Sequence, residues 1–243
     1  YTREPVSKAY YFIDAKTGNV LGKKDQLFHT DAVGTANTLY SGSQSIHSDL
    51  VSGVYNLRDV TRGNGIVTRN ANASGTPIFT NSSPTWSLTT PNRNALDIHY
   101  GFEMTYDYYK TKFGRNSLDN AGLLITGYAN DPSTTDNAYW DGSAMWFGTR
   151  SGTNNGVTGI DVIGHELTHG VTQYSCNLNY SNEPGAMNES LSDIMGKSVQ
   201  FVAKPTDINW LLSNDMSWYI RSFSNPKSYS QPNTYGGTYW YTG

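Results

Sequence analysis

The sequence is short of cysteine, of charge and of long apolar runs. Its 243 residues include a single cysteine, Cys176, so no disulfide can form within the chain, and we interpret Cys176 as a small packing residue. Lys and Arg total 17 against 20 Asp and Glu, and the net charge of -3 offers no basic field for a nucleic-acid backbone. No apolar run approaches the roughly 20 residues that span a bilayer. We therefore expect neither nucleic acid nor membrane as a partner.

What the chain does contain is enough apolar material for a substantial core. Hydrophobic residues make up 37% and aromatic residues 13%, which suits one large domain or two modest ones. Only 15% of the residues are charged, and the surface is expected to consist largely of Ser, Thr, Asn, Tyr and Gly. That balance fits a secreted, extracellular protein.

Short apolar segments separated by turn residues predict a β-rich first half. Hairpins are expected at 10–21 and at 53–68, where Asn64-Gly65 would form the tight turn, and the polar stretch 35–52 lies between them. Apolar residues at helical spacing predict a helix from Ala95 to Phe113. The remaining predicted elements are strands at 123–128, 137–140 and 144–148, and helices at about 160–176 and 185–203. The predicted fold class is α+β.

One pentapeptide, His165-Glu166-Leu167-Thr168-His169, has the spacing of a metal site on a helix. Residues four apart lie about 40° off a full turn and about 6 Å apart along the axis, so both imidazoles project from one face. Two neutral imidazole nitrogens so placed can bind one zinc ion, while Glu166 lies beside it as the general base for a water molecule. The alternative is a surface helix with two exposed histidines.

A catalytic zinc ion needs a third protein ligand, and Glu189 is the candidate. It follows His169 by twenty residues in the next predicted helix, after a segment in which Pro184 and Gly185 can turn the chain. Asp193, one turn beyond Glu189, shares its face and can accept the outward N–H of a ligating histidine. The sequence thus predicts zinc bound by His165, His169 and Glu189.

These segments carry a specific resemblance. The block Gly-Ile-Asp-Val-Ile-Gly-His-Glu-Leu-Thr-His-Gly-Val-Thr at 159–172, with Gly-Ala-Met-Asn-Glu-Ser-Leu-Ser-Asp-Ile at 185–194, closely resembles the thermolysin family of metallopeptidases. Residues 56–65 and 105–110 look like further family segments, and the match runs from about residue 34 to residue 243. The resemblance implies a zinc-dependent endopeptidase that cleaves peptide and protein substrates on the amino side of bulky hydrophobic residues.

The family roles carry over to matching residues only. Tyr180 matches a catalytic tyrosine that helps to stabilise the oxyanion, and Arg221 matches an arginine that holds the substrate carbonyl. Asn137, Ala138 and Tyr139 resemble the edge strand that binds an extended peptide by strand addition. Val162 and Ile220 match apolar positions of the substrate pocket. Without the resemblance, each of these residues would be interpreted as a packing or surface residue.

The chain also differs from the family pattern at both ends. Residues 11–21 resemble the end of the family's propeptide, and Gly34 looks like the mature start, so 1–33 is interpreted as a propeptide remnant of a zymogen. We interpret 34–243 as the N-terminal catalytic domain and expect the C-terminal helical lobe, with its transition-state histidine, to be missing. The propeptide would then be a partner of the catalytic domain.

Calcium is a second metal that the resemblance raises. Asp161 matches one calcium ligand, and Asp207 or Asp215 could provide another. However, Gln200 stands where the family usually has a glutamate that bridges calcium ions. The alternative role for Asp161 is a favourable charge at the N-terminus of its helix.

Three functions therefore remain open on sequence grounds. The first is an endopeptidase. The second is a zinc-binding but inactive zymogen fragment, which the expected loss of the helical lobe favours. The third is another glutamate-zinc peptidase such as an aminopeptidase, although no Gly-x-Met-Glu-Asn motif for binding a peptide N-terminus is present.

Overall fold

The structure is a computed structural model that describes residues 2–3, 6–7, 9–25, 29–89 and 92–240. Within the predicted propeptide remnant, residues 1, 4, 5, 8 and 26–28 lie outside the described residues. The helices are α1 (Asn92–Phe113), α2 (Ile160–Ser175) and α3 (Asn182–Ala203). The strands are β1 (Thr2–Arg3), β2 (Val6–Ser7), β3 (Ala9–Ile13), β4 (Val20–Asp25), β5 (Thr30–Asn37), β6 (Ser43–Val51), β7 (Val54–Asn56), β8 (Arg58–Asp59), β9 (Ile66–Asn70), β10 (Thr80–Asn81), β11 (Thr85–Trp86), β12 (Ile125–Ala129), β13 (Ala138–Trp140), β14 (Met145–Phe147), β15 (Leu211–Leu212) and β16 (Arg221–Ser222).

Two five-stranded sheets form the β-rich part. The first has the order β10-β7-β6-β5-β11 and is antiparallel except for the parallel pair of β5 and β11. The second has the order β13-β14-β12-β9-β8, in which β12 runs parallel to both β9 and β14. Strand β13 therefore lies at the edge of its sheet, with one side free of a strand partner within the described residues.

Helix α1 packs against strands of both sheets and against α2 and α3. Its apolar face is fully buried around Leu96, Ile98 and Phe102, and the ring of Phe102 lies 6.0 Å from that of Phe147 on β14. The helix ends as predicted, because Gly114 adopts a positive φ of 68° that a residue with a Cβ adopts only at a cost. One buried core thus joins the sheets to the helices.

A half-buried arginine, Arg62, connects the loop after β8 to α1. Arg62 donates through Nε and Nη2 to the two carboxylate oxygens of Asp107 at 2.9 and 2.7 Å, and through Nη1 to Asp59 at 2.7 Å. Such a two-point arginine–carboxylate pair fixes direction as well as distance. The two segments that carried part of the family resemblance, 56–65 and 105–110, therefore contact each other directly.

The α+β fold class, the predicted helices and the strand pair at 137–148 agree with the structure, but three details do not. The polar stretch 35–52 contains the end of β5 and the whole of β6, whose hydrogen bonds build the first sheet. The hairpin predicted at 53–68 turns through a longer loop between β8 and β9, in which Gly63 and Gly65, but not Asn64, have positive φ. Cys176 is an exposed free thiol just after α2 rather than a packing residue.

Helices α2 and α3 cross at a pair of glycines. A Cβ on Gly196 would lie 2.2 Å from the carbonyl oxygen of Asp161 and 2.8 Å from the backbone nitrogen of His165, and one on Gly164 would lie 2.9 Å from Cα of Gly196. The backbones approach this closely only because neither residue has a side chain.

No helix among the described residues is long and apolar enough to span a membrane.

Candidate metal centre

The two histidines of the pentapeptide lie side by side on α2, as their spacing predicts. Their rings are 4.6 Å apart, and the Nε2 atoms of His165 and His169 are separated by 2.9 Å. Both side chains are buried. The helix therefore presents two imidazole nitrogens toward one point in space.

Glu189 on α3 brings a carboxylate to the same point. Its Oε2 lies 3.4 Å from Nε2 of His165, and its Oε1 lies 3.4 Å from Nε2 of His169. These three residues form a group whose ligand atoms lie within 4.8 Å of one another. Two ligands on a tetrahedral zinc ion are about 3.3 Å apart, so the separations fit that ion.

Acceptor groups on α3 hold the outer nitrogen of each histidine. Nδ1 of His165 lies 2.8 Å from Oδ1 of Asp193, and Nδ1 of His169 lies 2.8 Å from Oδ1 of Asn188 and 3.2 Å from the hydroxyl of Ser192. A carboxylate can only accept, so the proton of His165 resides on Nδ1 and its Nε2 lone pair faces the centre. The amide oxygen of Asn188 places the proton of His169 in the same way.

The centre therefore consists of acceptors facing one another. Two imidazole lone pairs and a carboxylate repel at these distances unless a positive charge lies among them. Burial lowers the pKa of His165, but the carboxylates of Asp193 and Glu189 outweigh it and raise that pKa to about 10, so in the absence of a metal ion a second proton on His165 supplies the positive charge. Burial likewise opposes ionisation of Glu189, yet the two histidines hold its pKa well below its usual range. Nitrogen and carboxylate ligands of this kind are those that zinc prefers.

Glu166 lies next to this group without belonging to it. Its side chain is buried, which raises its carboxyl pKa, while the positive character of His165 and His169 opposes that rise. A carboxyl group with a raised pKa holds a proton more readily than an exposed carboxyl group, as an acid–base group must. Glu166 thus has the position and the environment of an acid–base group.

Tyr180 extends toward the same group from the segment before α3. Its hydroxyl donates to Oε1 of Glu189, and its ring stands edge-on to His169 at 5.8 Å. The side chain remains 65% exposed, so solvent or a ligand can reach the hydroxyl. Tyr180 therefore supplies a hydrogen-bond donor next to the imidazole and carboxylate acceptors of the centre.

Arg221 on β16 completes a chain of polar contacts behind His165. Its Nε and Nη2 donate to Oδ2 and Oδ1 of Asp193, both at 2.7 Å. Burial raises the pKa of Asp193, but the hydrogen bonds from His165 and then from Arg221 outweigh it and hold that pKa below its ordinary value, so the carboxylate is charged. Arg221 therefore supports the centre through Asp193 as well as facing the cleft.

The centre lies at the base of an open cleft of about 1010 Å3. The predicted catalytic, ligand and substrate-binding residues all line it: Asn137, Ala138, Tyr139, Val162, His165, Glu166, His169, Tyr180, Glu189, Ile220 and Arg221. Edge strand β13 forms one wall, and the apolar side chains of Val162, Leu212 and Ile220 lie across the floor. Asp193 contacts Nδ1 of His165 instead of lining the cleft.

The calcium prediction does not fit the surroundings of Asp161. This carboxylate is buried at the start of α2, where its oxygens accept from the backbone N–H groups of Val162 and Ser213, at 2.9 and 2.8 Å. The ammonium of Lys197 lies 3.5 Å from its Oδ2. A lysine cation is thus already present where the resemblance implied a metal ion, and Asp207 and Asp215 bind side-chain amides and Lys204 instead.

Sequence reasoning missed two residues of this region, Asn188 and Lys197. Asn188 adjoins Glu189, and a search for an acceptor for the second histidine could have found it, since each ligating imidazole needs one. Lys197 carries no local signal, because a lysine in a helix is ordinarily a solvated residue. Its role depends on contacts with residues distant in the chain.

Two sequence models of one family match the chain. The first is described as the thermolysin metallopeptidase catalytic domain and matches residues 33–173. The second is described as the alpha-helical domain of the same peptidase and matches residues 176–243. The prediction that the helical lobe is missing is therefore wrong. The interpretation of 34–243 as the catalytic domain includes helix α3, but α3 belongs to the part matched by the helical-domain model. The candidate metal centre therefore takes its histidines from the first matched part and Glu189 from the second.

Two curated relatives agree with this match by sequence. The chain is 39% identical over 236 residues to bacillolysin of Bacillus amyloliquefaciens, covering 92% of this chain and 44% of that protein. It is 34% identical over 255 residues to thermolysin of Alicyclobacillus acidocaldarius, covering 94% and 46%. A solved precursor of protealysin, a metalloproteinase from Serratia proteamaculans, shows 32% identity over 60% of this chain and 47% of its own, with a TM-score of 0.48. The chain spans less than half the length of the two relatives compared above, and it belongs to the thermolysin metallopeptidase family.

Proposed function

We propose that this chain carries the catalytic centre of a zinc-dependent endopeptidase, with His165, His169 and Glu189 as the zinc ligands. The observation that carries the proposal is the set of three mutually facing acceptors beside a buried Glu166 at the base of an open cleft. Because the chain spans less than half of its relatives, the activity is proposed for the whole protein to which it belongs.

When bound, zinc would supply a Lewis acid for a water molecule and for the carbonyl of the scissile peptide bond. Glu166 takes a proton from that water and passes it to the nitrogen of the departing amine. Burial raises the pKa of Glu166, which suits a carboxyl group that must hold the proton between the two transfers. Asp193 and Asn188 keep both histidines in the tautomer that ligation requires.

Tyr180 would stabilise negative charge on the oxygen of the reacting carbonyl, and Arg221 would hold a substrate carbonyl beside the pocket. Tyr180 has its hydroxyl at the rim of the centre and an exposed ring that can follow a bound substrate. Arg221 uses Nε and Nη2 for Asp193, which leaves Nη1 for a substrate carbonyl. Preorganised donors of this kind contribute most where the charge develops in the transition state.

The cleft wall supports an extended peptide as substrate. Strand β13 is an edge strand, so Ala138 can offer its backbone and Asn137 its side chain to a peptide added as a further strand. Val162 and Ile220 provide apolar surface for a bulky side chain next to the reacting bond. We therefore propose cleavage on the amino side of bulky hydrophobic residues.

The deciding experiment compares two variants of the complete protein in casein hydrolysis and in bound zinc. Glu166→Ala should keep its zinc and lose at least about 100-fold in kcat/KM, as expected for removal of a general base. Glu189→Gln should lose both zinc and activity. Casein hydrolysis that survives in Glu166→Ala, or zinc content that is unchanged in Glu189→Gln, would refute the assignment.

The same assay separates the alternatives. A protein that binds zinc but never hydrolyses casein would be the inactive zinc-binding form. A protein that degrades only peptides with a free amino terminus would be an aminopeptidase, which N-acetylated peptides test directly. The proposal requires cleavage of N-acetylated peptides with Leu or Phe after the scissile bond, and weaker cleavage when Ala replaces them.

We also propose that residues 1–33 are a propeptide segment of a secreted zymogen. The catalytic-domain match begins at residue 33, and strands β3 and β4 form a separate two-stranded sheet with exposed aromatic side chains. N-terminal sequencing of the active protein recovered from culture medium should find a start near Gly34. An active, unprocessed protein retained inside the cells would contradict this.

A further inference from the structure

A lysine ammonium on α3, one turn beyond Asp193, lies inside a cage of oxygen atoms. Lys197 is only 2% exposed. Its Nζ donates to the carbonyl oxygen of Leu211 at 2.6 Å, to Oδ1 of Asn209 at 3.2 Å, to Oδ2 of Asp161 at 3.5 Å and to Oε1 of Gln200. One backbone carbonyl, one carboxylate and two side-chain amide oxygens thus surround one buried positive charge.

The cage is fixed from its outer side as well. Asp161 accepts two backbone N–H groups, and Gln200 donates through Nε2 to Oδ1 of Asp215 at 3.2 Å. Asp215 in turn pairs with Lys204 at 2.8 Å. The cage oxygens therefore cannot rotate away from Lys197 without breaking other hydrogen bonds.

This arrangement of oxygens around one cation is the kind that a protein offers to a hard metal ion. Calcium takes six to eight oxygens at about 2.3–2.6 Å, several of them from carboxylates. Here the centre is taken by Nζ, and Asp161 is the single carboxylate among the four contacts, since Gln200 supplies a neutral amide. A calcium ion could enter only by displacing the ammonium, and a buried ammonium without partners is costly.

We propose that Lys197 is a built-in cation that replaces calcium at this position, so that the fold of this protein needs no calcium ion here. The ammonium joins the first turn of α2, the middle of α3 and the segment at 209–211. Asp161 lies one turn before His165, and Lys197 lies one turn after Asp193. The cage thus holds α2 and α3 in the register that brings the histidines and Glu189 together.

The first test measures the zinc-loaded protein after removal of calcium, by thermal unfolding and by terbium luminescence. Terbium reports calcium-type sites near a tryptophan, and Trp210 adjoins both Asn209 and Leu211. We expect no change in Tm on addition of millimolar calcium and no sensitised terbium emission. A calcium-dependent rise in Tm, removed by Asp161→Asn, would overturn the proposal, and this readout does not depend on peptidase activity.

The second test creates the metal site that the lysine replaces. Lys197→Met with Gln200→Glu removes the ammonium and adds a carboxylate, so this variant should bind terbium and gain several degrees in Tm with calcium. Without calcium, Lys197→Met alone should lower Tm by on the order of 10 °C, because it leaves the buried Asp161 without a counter-charge. The control variant is Lys112→Met, which replaces an exposed lysine at the end of α1. It should change neither the Tm nor the terbium emission.

An unchanged Tm in folded Lys197→Met would also count against the proposal. If the variants fail to fold, the calcium response of the unmodified protein decides the question alone. A site whose centre is already occupied by Nζ of Lys197 should bind no calcium and so should give no rise in Tm.

Discussion

Asp193 holds two side chains at once, His165 through Oδ1 and Arg221 through both oxygens. Replacing it by alanine removes the acceptor that keeps the His165 proton on Nδ1. We expect the dissociation constant for zinc to rise about 10- to 100-fold, the usual effect of losing an acceptor behind a metal-binding histidine. Competition with a chromophoric chelator measures the change.

Asp193→Asn serves as the matched variant, because its amide oxygen can still accept from His165 while its charge is lost. It should fall between the native protein and Asp193→Ala in zinc affinity. If both variants bound zinc as tightly as the native protein, Asp193 would have no part in the centre.

Asp97 is a buried acid whose charge state should affect stability. Its oxygens accept from the backbone N–H groups of Leu39 and Tyr40 at 3.1 and 3.0 Å, yet burial outweighs these bonds and raises its pKa from 3.8 to about 7. A raised pKa means that the favourable contribution is complete below pH 3.8 and is lost as the pH rises through about 7.

The variant Asp97→Asn cannot ionise, so its stability should lack this part of the pH dependence. Relative to the variant, the native protein should lose on the order of 4 kcal/mol in free energy of unfolding between these two pH values. Urea unfolding at several pH values provides the comparison, in which a constant offset would mean that folding does not raise the pKa of Asp97. The side-chain amide of the Asp97→Asn variant can accept only one of the two backbone N–H groups that Asp97 accepts, but the cost of that lost hydrogen bond does not vary with pH.

The crossing of α2 and α3 depends on glycine. Gly196→Ala places a methyl group 2.2 Å from the carbonyl oxygen of Asp161, and backbone atoms cannot give way as a flexible side chain can. The helices must move apart, which should cost about 1–3 kcal/mol and draw Glu189 away from His165. We expect a lower Tm together with weaker zinc binding.

Gly170→Ala on α2 is the matched control. Its new methyl group would meet the side chain of Leu118 at 3.0 Å, which can shift, and alanine favours a helix over glycine. This variant should keep its zinc affinity. Equal losses in both variants would show that helix packing at Gly196 has no special connection with the metal centre.

The elements differed in how far the sequence could predict them. Helices α2 and α3 follow from apolar periodicity over several turns, a signal that many residues share. Strands β5 and β6 were missed because Ser43–Val51 contains many small polar residues, and Ile46 and Ser48 are buried only through pairing with β5 and packing of α1. Strand propensity depends strongly on such neighbours.

At the scale of the whole molecule, the site also combines residues that local spacing predicts with residues whose contacts depend on distant segments. The spacing of His165 and His169 is local, so the sequence alone placed both nitrogens on one face. Lys197 and Arg221 acquire their contacts from segments far away along the chain, and only the folded arrangement brings them to Asp161 and Asp193. The helical domain that is expected to be missing on sequence grounds is matched by residues 176–243, and its helix α3 packs against α2 of the catalytic part.

The metal centre joins the two matched parts of the chain, because His165 and His169 lie within 33–173 and Glu189 lies within 176–243. Zinc should therefore stabilise the whole fold and not one helix alone. At a free zinc concentration 100-fold above the dissociation constant, the gain is about 2.7 kcal/mol, or roughly 5–10 °C in Tm for a chain of this size. Removal of zinc by a chelator should lower Tm by that amount, and re-addition should restore it. Glu189→Gln, which leaves α2 unchanged, should show little of this response. A chelated protein that unfolds at the same temperature as the zinc-loaded one would mean that the metal does not hold the two parts together.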